Sequence, residues 1–209
     1  MLLNYDRMER SLFTPLVYPL QFKFKIGTIA NDFEATDALG NSLFYVREKI
    51  FTFRDTVRVY RDSSSSEVLY ELVSNKLIDF RQTFTIADNT GRVIGKVRRK
   101  SLRSLWRSTF YLLNSSGEHD YTITEKNPWT KMWDGLFGEI PIIGALSGYM
   151  FNPSYLLKDL RGVEQYEIRK EPSFFGRRFT VHRLAEQGGE EERLLLSVLL
   201  MVLIERSSG

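Results

Sequence analysis

The sequence predicts a mainly β fold in which a closed antiparallel barrel is wrapped around a buried hydrophobic C-terminal helix. Apolar and polar residues alternate in many short stretches, as in half-buried strands, and turn motifs separate these stretches at nearly constant spacing. Residues 194–204 carry one hydroxyl and no charge, and a helix that is apolar on every face must be enclosed on every side. A long antiparallel meander hides its edges by closing into a barrel. The helix then fills the bore that a wide barrel leaves.

The predicted central helix spans residues 190–206. At ~1.5 Å per residue it is roughly 25 Å long, which suits the bore of such a barrel. Its apolar run, residues 194–204, is too short to cross a bilayer, because a spanning helix needs roughly 20 apolar residues. The glutamates at positions 190–192 precede the run and oppose the positive N-terminal end of the helix.

The alternating pattern begins after residues 1–20, which contain two prolines and form an irregular lead-in. Its first stretch places Phe22 and Phe24 on one side of a strand and Lys23 and Lys25 on the other. Aromatic residues make up 13% of the chain and favour β-structure. Further predicted strands lie at 44–47, 57–60, 83–86, 121–124, 154–158, 163–169 and 175–183.

Turn motifs recur with a period that indicates two strands per repeat. The motifs Asp37-Ala-Leu-Gly40, Asp62-Ser-Ser-Ser, Asp88-Asn-Thr-Gly91 and Asn114-Ser-Ser-Gly117 begin 25, 26 and 26 residues apart. A second series, with arginines at 54, 81 and 107, lies between them. Asp and Asn side chains bond the local backbone and glycine accepts positive φ, so both suit tight turns. A similar motif begins at Asp159. The alternative is a meander whose turns share this spacing by coincidence.

Residues 127–153 interrupt the rhythm with an insert rich in Gly, Pro and large apolar groups, including Trp129 and Trp133. Two interpretations stay open: the insert folds as a cap over one barrel mouth, or it dips into a membrane interface, where Trp is favoured. No internal linker separates the chain into parts, so the prediction is a single domain over residues 1–209.

Composition excludes several classes of protein. The chain has no cysteine and two histidines, which removes disulfides and thiolate catalysis and makes a metal site unexpected. His119 and Asp120 are adjacent, so a strand points them to opposite faces, and no catalytic group is predicted. We therefore expect no enzyme activity, no cofactor and no nucleic-acid partner. Early charges argue against a signal peptide, and the expected location is the cytoplasm.

Three segments and the terminal helix carry a resemblance to a known family. They are residues 46–62 (VREKIFTFRDTVRVYRD), 84–97 (FTIADNTGRVIGKV) and 174–181 (FFGRRFTV). In this order they resemble the tubby C-terminal-like superfamily, in its LURF-one-related and phospholipid scramblase-like branch, over residues 40–206. The resemblance implies a barrel of about twelve strands around the helix. The chain lacks the proline-rich region, the cysteines and the acidic calcium loop of the animal scramblases, so scramblase-type lipid transfer is not expected.

A basic cluster at residues 96–107 is the predicted binding site. On a strand, Lys96, Arg98 and Lys100 project to one face. Tubby domains are similar in using exposed basic residues for phosphoinositide headgroups, so the resemblance implies an anionic phospholipid ligand and a peripheral position at the inner membrane surface. The alternative is that these cations only solvate an outer face. The predicted lipid-binding or anion-binding residues are Lys96, Arg98, Arg99, Lys100, Arg103 and Arg107.

Two other functions remain open at this stage. The protein is a protein-interaction scaffold that uses the insert at 127–153, or it carries a hydrophobic ligand in its barrel. The sequence predicts neither the oligomeric state nor the identity of the lipid or partner.

Overall fold

The structure is a computed structural model and describes residues 16–25, 32–47, 56–75, 83–100, 108–126, 153–172, 178–186 and 189–207. Within these ranges the chain forms twelve strands followed by one helix. Their bounds are β1 Leu20–Phe24, β2 Phe33–Thr36, β3 Ser42–Val46, β4 Thr56–Tyr60, β5 Val68–Asn75, β6 Thr83–Asp88, β7 Val93–Arg99, β8 Thr109–Leu113, β9 His119–Glu125, β10 Ser154–Asp159, β11 Glu164–Glu171, β12 Arg178–Arg183 and α1 Glu191–Ser207.

The strands form a closed antiparallel barrel, which confirms the predicted fold class. Each strand pairs with its neighbours in sequence, and β1 pairs with β12 to close the ring. In that closing pair, Leu20 lies opposite Val181 and Phe22 lies opposite Phe179. Because the ring is complete, none of these strands presents an unpaired edge to solvent.

Alternation along each strand sends one set of side chains into the barrel. Phe22, Phe33 and Phe44 come from three adjacent strands and pack as an aromatic cluster, with ring centroids 5.5 to 6.3 Å apart. The other strands add aliphatic and aromatic groups to the same core. Fully buried members include Val57, Val59, Leu72, Phe84, Ile86, Val97, Phe110, Leu112, Ile123, Leu157, Tyr166, Ile168 and Val181.

Helix α1 fills the barrel, as the sequence predicts. From Leu194 to Ile204 no residue exceeds 4% exposure. The single hydroxyl of the run, on Ser197, donates to the backbone carbonyl of Arg193 at 2.8 Å. That bond satisfies a polar group that would otherwise be costly in an apolar interior.

The five described hairpin turns all lie at the end of the barrel where α1 begins, which we call the turn end. They join β2 to β3, β4 to β5, β6 to β7, β8 to β9 and β10 to β11. At the turn after β6, the Gly91 amide donates to the Asp88 carbonyl at 2.9 Å, and Gly91 has φ +83°. The turn after β4 holds Ser65 at that position, with φ +55°. The first predicted turn series is thus confirmed.

The opposite end of the barrel, where α1 finishes, we call the far end. The links between strands at this end fall at residues 26–31, 48–55, 76–82, 101–107, 127–152 and 173–177, which lie outside the described residues. The arginines of the second turn series lie outside them as well, and so does the apolar insert apart from Pro153.

Alternation did not identify three strands, β2, β5 and β8, and β7 was considered only through its basic residues. β8 has the sequence TFYLL, without alternation, because a bulge at Leu112 and Leu113 buries both residues. In β5 the outward position Val73 is itself apolar, and β2 has only four residues. Alternation fails as a signal where a bulge shifts the pleat or where the solvent side is not polar.

Candidate anion-binding surface

The register of β7 decides which of its basic residues face solvent. Gly95 and Val97 are buried inside the barrel, so Lys96 and Arg98 project outward. Lys96 lies opposite Thr85 and Leu113. The amide of Lys100 donates to the Thr109 carbonyl at 2.9 Å, so the pairing of β7 with β8 continues one residue past the end of β7. We call Lys96, Arg98 and Lys100 the basic strip.

The positive charges of the basic strip are not paired with a described carboxylate, unlike those of many other outer cations of the barrel. Among the described residues, no carboxylate lies within 4.0 Å of its three cationic groups. Several other outer cations are paired: Lys25 Nζ is 3.1 Å from Glu34, and Arg58 is 3.2 Å from Glu71. The strip is therefore a local surplus of positive charge on one wall.

An aromatic and hydroxyl-bearing surface borders the strip. The Arg98 guanidinium lies 5.7 Å from the centre of the Tyr111 ring, and Tyr111 meets His119 edge to face at 5.0 Å. The Nε2 atom of His119 is 2.9 Å from the Thr122 hydroxyl. On the other side, Thr83 lies opposite Arg98. Hydroxyl and guanidinium groups are both donors to phosphate oxygens.

Arg99 lies on the opposite face of β7 from the strip. Its side chain is 20% exposed and approaches Glu205 of α1 at 3.8 Å, and its guanidinium lies 5.9 Å from the ring of Phe110. The sheet thus separates Arg99 from the outer cations. Arg103 and Arg107, the remaining predicted site residues, lie outside the described residues. Of the six predicted residues, the structure brings Lys96, Arg98 and Lys100 together.

The far end of the barrel holds polar groups around the last turn of α1. The Tyr155 hydroxyl donates to Glu205 at 3.2 Å, and Glu125 is fully buried nearby on β9. Burial, together with the negative charge of Glu205 and Glu125, raises the pKa of Tyr155 well above its usual value. Tyr155 therefore acts as a hydrogen-bond donor at neutral pH.

The side chains that could serve in catalysis or metal binding are dispersed. His119 faces the outer wall, whereas Asp120 bonds to Arg193 of α1. Glu34 pairs with Lys25, and Asp37 accepts amide bonds within its own turn. The described residues contain no group of three potential metal ligands. The absence of catalysis and of a metal stays a prediction.

Arg193 is the structural residue that sequence reasoning missed. It lies between the glutamates at positions 190–192 and the apolar run of the helix, yet it is 7% exposed. Its guanidinium binds Asp120 at 2.7 and 3.2 Å and Glu190 at 2.7 Å. Burial alone would lower the pKa of Arg193, but the bonds to these two carboxylates raise it above its usual value. No local pattern signals this contact, since Asp120 is 73 positions away.

Gly95 lies against the same arginine. A Cβ atom at this position would lie 2.7 Å from Arg193 Cδ and 3.0 Å from the Leu113 carbonyl oxygen. Only glycine leaves room for the helix to approach β7 so closely. Strand β7, which carries the basic strip on its outer face, thus packs against the buried Arg193 on its inner face.

Among the described residues, no helix is long and apolar enough to span a membrane. No family model matches the chain, and no curated protein matches it. A crystal structure of a protein from Arabidopsis thaliana is similar, with 14% sequence identity and a TM-score of 0.47, over 91% of this chain and 92% of that chain. Similarity at this level carries no argument about fold or function.

Proposed function

We propose that the protein is a non-enzymatic, tubby-like barrel that binds anionic phospholipid, in particular phosphoinositide headgroups, at a membrane surface. The basic strip forms the contact. The observation that carries the proposal is that Lys96, Arg98 and Lys100 lie on one outer face without a carboxylate partner among the described residues.

Electrostatics sets the expected strength of this contact. Each cation near an anionic leaflet contributes about 1 kcal/mol, so three contribute about 3 kcal/mol, or roughly 10²-fold in partitioning. This is reversible, peripheral binding, and it weakens with salt because the charges are exposed. The hydroxyls and the tyrosine beside the strip offer a phosphate group directional hydrogen bonds in addition to charge attraction.

The test is a charge reversal on the strip, measured by flotation with phosphatidylcholine vesicles containing a phosphoinositide. Arg98→Glu combined with Lys100→Glu should weaken binding at least tenfold, since two attractions become repulsions. Arg99 is left unchanged because it contacts Glu205 inside the far end. Wild-type binding should also decline as salt is raised from about 0.05 to about 0.5 M.

The matched control reverses Lys23 and Arg178, which lie opposite each other on β1 and β12. Both are exposed, and no described carboxylate is within ion-pair distance of either. The control variant has the same net charge as the test variant but leaves the strip intact. Equal loss in both variants, or wild-type protein that fails to float with the vesicles, contradicts the proposal.

A further inference from the structure

Exposed apolar side chains are confined to one part of the turn end. All the large hydrophobic side chains that are exposed among the described residues lie there, and we call them the apolar rim. They are Val17 (39% exposed), Leu39 (72%), Leu160 (63%), Val163 (44%) and Leu184 (47%). Isolated exposed leucines are ordinary, whereas a cluster of them indicates a contact surface.

Barrel topology places the members of the apolar rim on or beside neighbouring strands. Leu39 is in the turn between β2 and β3, and the Ala38 amide beside it donates to the Val17 carbonyl at 2.8 Å. Leu184 follows β12, and its amide donates to the Gln165 carbonyl on β11 at 2.9 Å. Leu160 is in the turn between β10 and β11. Since β10, β11, β12, β1, β2 and β3 are consecutive in the ring, the rim extends over roughly 20 Å at ~4.8 Å per strand.

The other half of the turn end provides an internal contrast. In its three turns the amide of the fourth residue donates to the carbonyl of the first, as in the turns of the rim, but their tips carry small polar residues. Ser64 occupies the turn position of Leu39, and Ser115 occupies that of Leu160. The turn geometry therefore does not require leucine at either position, and the two leucines contribute little to folding.

Charge around the apolar rim narrows the kind of partner. Glu186 and Glu190 precede the helix, with side chains 92% and 47% exposed, and Glu190 also binds Arg193. Arg183 is shared between Glu186 at 3.8 Å and Glu191 at 3.5 Å. Arg161 is already paired with Asp159 at 3.0 Å. Carboxylates are thus in surplus, which repels an anionic leaflet and also a second copy presenting the same rim.

We propose that the apolar rim is a docking surface for a protein segment that combines apolar side chains with flanking Lys or Arg residues. An extended segment of about six residues spans the rim at ~3.3 Å per residue. The rim and the basic strip lie on opposite sides of the barrel, because β7 is six positions from β1 in the ring. A barrel held on a surface by the strip would leave the rim exposed, and the inference does not depend on that lipid contact.

The test selects displayed random twelve-residue peptides on the immobilised wild-type chain, with counter-selection on the Leu39→Ser/Leu160→Ser variant. Enriched peptides should combine Leu, Ile or Phe with Lys or Arg. Synthetic versions should bind the wild-type chain at least about tenfold more tightly than the variant in fluorescence anisotropy, since central apolar anchors dominate small interfaces. The variant should keep the wild-type melting temperature, because both serines already occur at equivalent turn positions.

A relocated variant controls for composition. It carries Leu39→Ser, Leu160→Ser, Ser64→Leu and Ser115→Leu, so the same side chains stand on the other half of the turn end. Binding should not return in this variant. Leu184 lies in neither turn, and Leu184→Gln should by itself weaken peptide binding at least about threefold.

Four results would overturn the inference. They are failure to enrich any peptide beyond the counter-selection, enrichment of acidic peptides, and recovery of binding in the relocated variant. The fourth is binding of a different partner that the Leu39→Ser/Leu160→Ser variant loses. That partner would be a second copy of the chain, seen as self-association in sedimentation equilibrium, or neutral phosphatidylcholine vesicles.

Discussion

The two ends of the barrel hold the central helix in different ways. At the turn end, Arg193 is buried and binds two carboxylates at 2.7 Å, and the Tyr18 hydroxyl donates to Glu191 at 2.6 Å. At the far end, the ion contact between Arg99 and Glu205 measures 3.8 Å, and Tyr155 reaches Glu205 at 3.2 Å. Short, buried and charge-assisted bonds stabilise more than long ones. Bonds of this kind anchor the helix at its N-terminal end.

Neutralising Arg193 or Arg99 tests this difference between the two ends, and Arg193→Met has the largest expected effect of all the substitutions. Arg193→Met keeps most of the side-chain volume but leaves two carboxylates without their cation, so it should lower the free energy of unfolding by about 3 kcal/mol. Arg99→Met removes a longer contact and should cost about 1 kcal/mol. Urea unfolding of both variants measures the two values. Equal losses would show that both ends anchor the helix alike.

A substitution at Gly95 tests how β7 positions Arg193 at the turn end, and its expected effect on stability is smaller than that of Arg193→Met. Gly95→Ala should lower the free energy of unfolding by about 2 kcal/mol, as overpacking commonly does, because the new methyl group displaces Arg193 from its carboxylates. Combining it with Arg193→Ala removes that clash, so the two losses should not add.

The matched change is Val97→Ala, two positions along the same inward face of β7. Its loss in free energy of unfolding should add to that of Arg193→Ala within about 0.5 kcal/mol. Additive losses for Gly95→Ala as well would mean that the close approach does not position the helix.

Acid sensitivity of the turns is the smallest expected effect and concerns the turn end alone. The hydrogen bond from the Asn41 side chain lowers the pKa of Asp37. Burial by itself would raise the pKa of Asp88, but bonds from Thr90 and Arg92 hold it below its usual value. A carboxyl with a depressed folded-state pKa stabilises the fold above its unfolded pKa of about 3.9. That contribution is lost as the pH falls through the folded value.

Asp88→Asn should therefore flatten the dependence of the urea midpoint on pH below about 4, while leaving the turn intact. Asn114 shows that an asparagine suits this turn, since its side-chain oxygen accepts the Glu118 amide at 3.0 Å. An unchanged acid slope in Asp88→Asn would exclude this carboxylate as a source of pH dependence at the turn end.

Much of the barrel could be predicted from short-range patterns. The turn motifs beginning at Asp37, Asp62, Asp88, Asn114 and Asp159 all form hairpins, because an Asx side chain and a residue with positive φ specify the turn locally. The partners of the site residues could not be predicted in this way. Nothing near Arg99 in sequence places Glu205 beside it, and nothing near Arg193 indicates Asp120.

By itself the sequence determined the fold class, the enclosed helix and the outward projection of Lys96 and Arg98, because alternation and all-round hydrophobicity are local properties that burial must satisfy. Only the tertiary structure decided that β1 closes on β12, that Arg99 faces the helix and that the exposed leucines share one rim. These features depend on the register of strands distant in sequence, since pairing brings together residues that no short-range pattern relates.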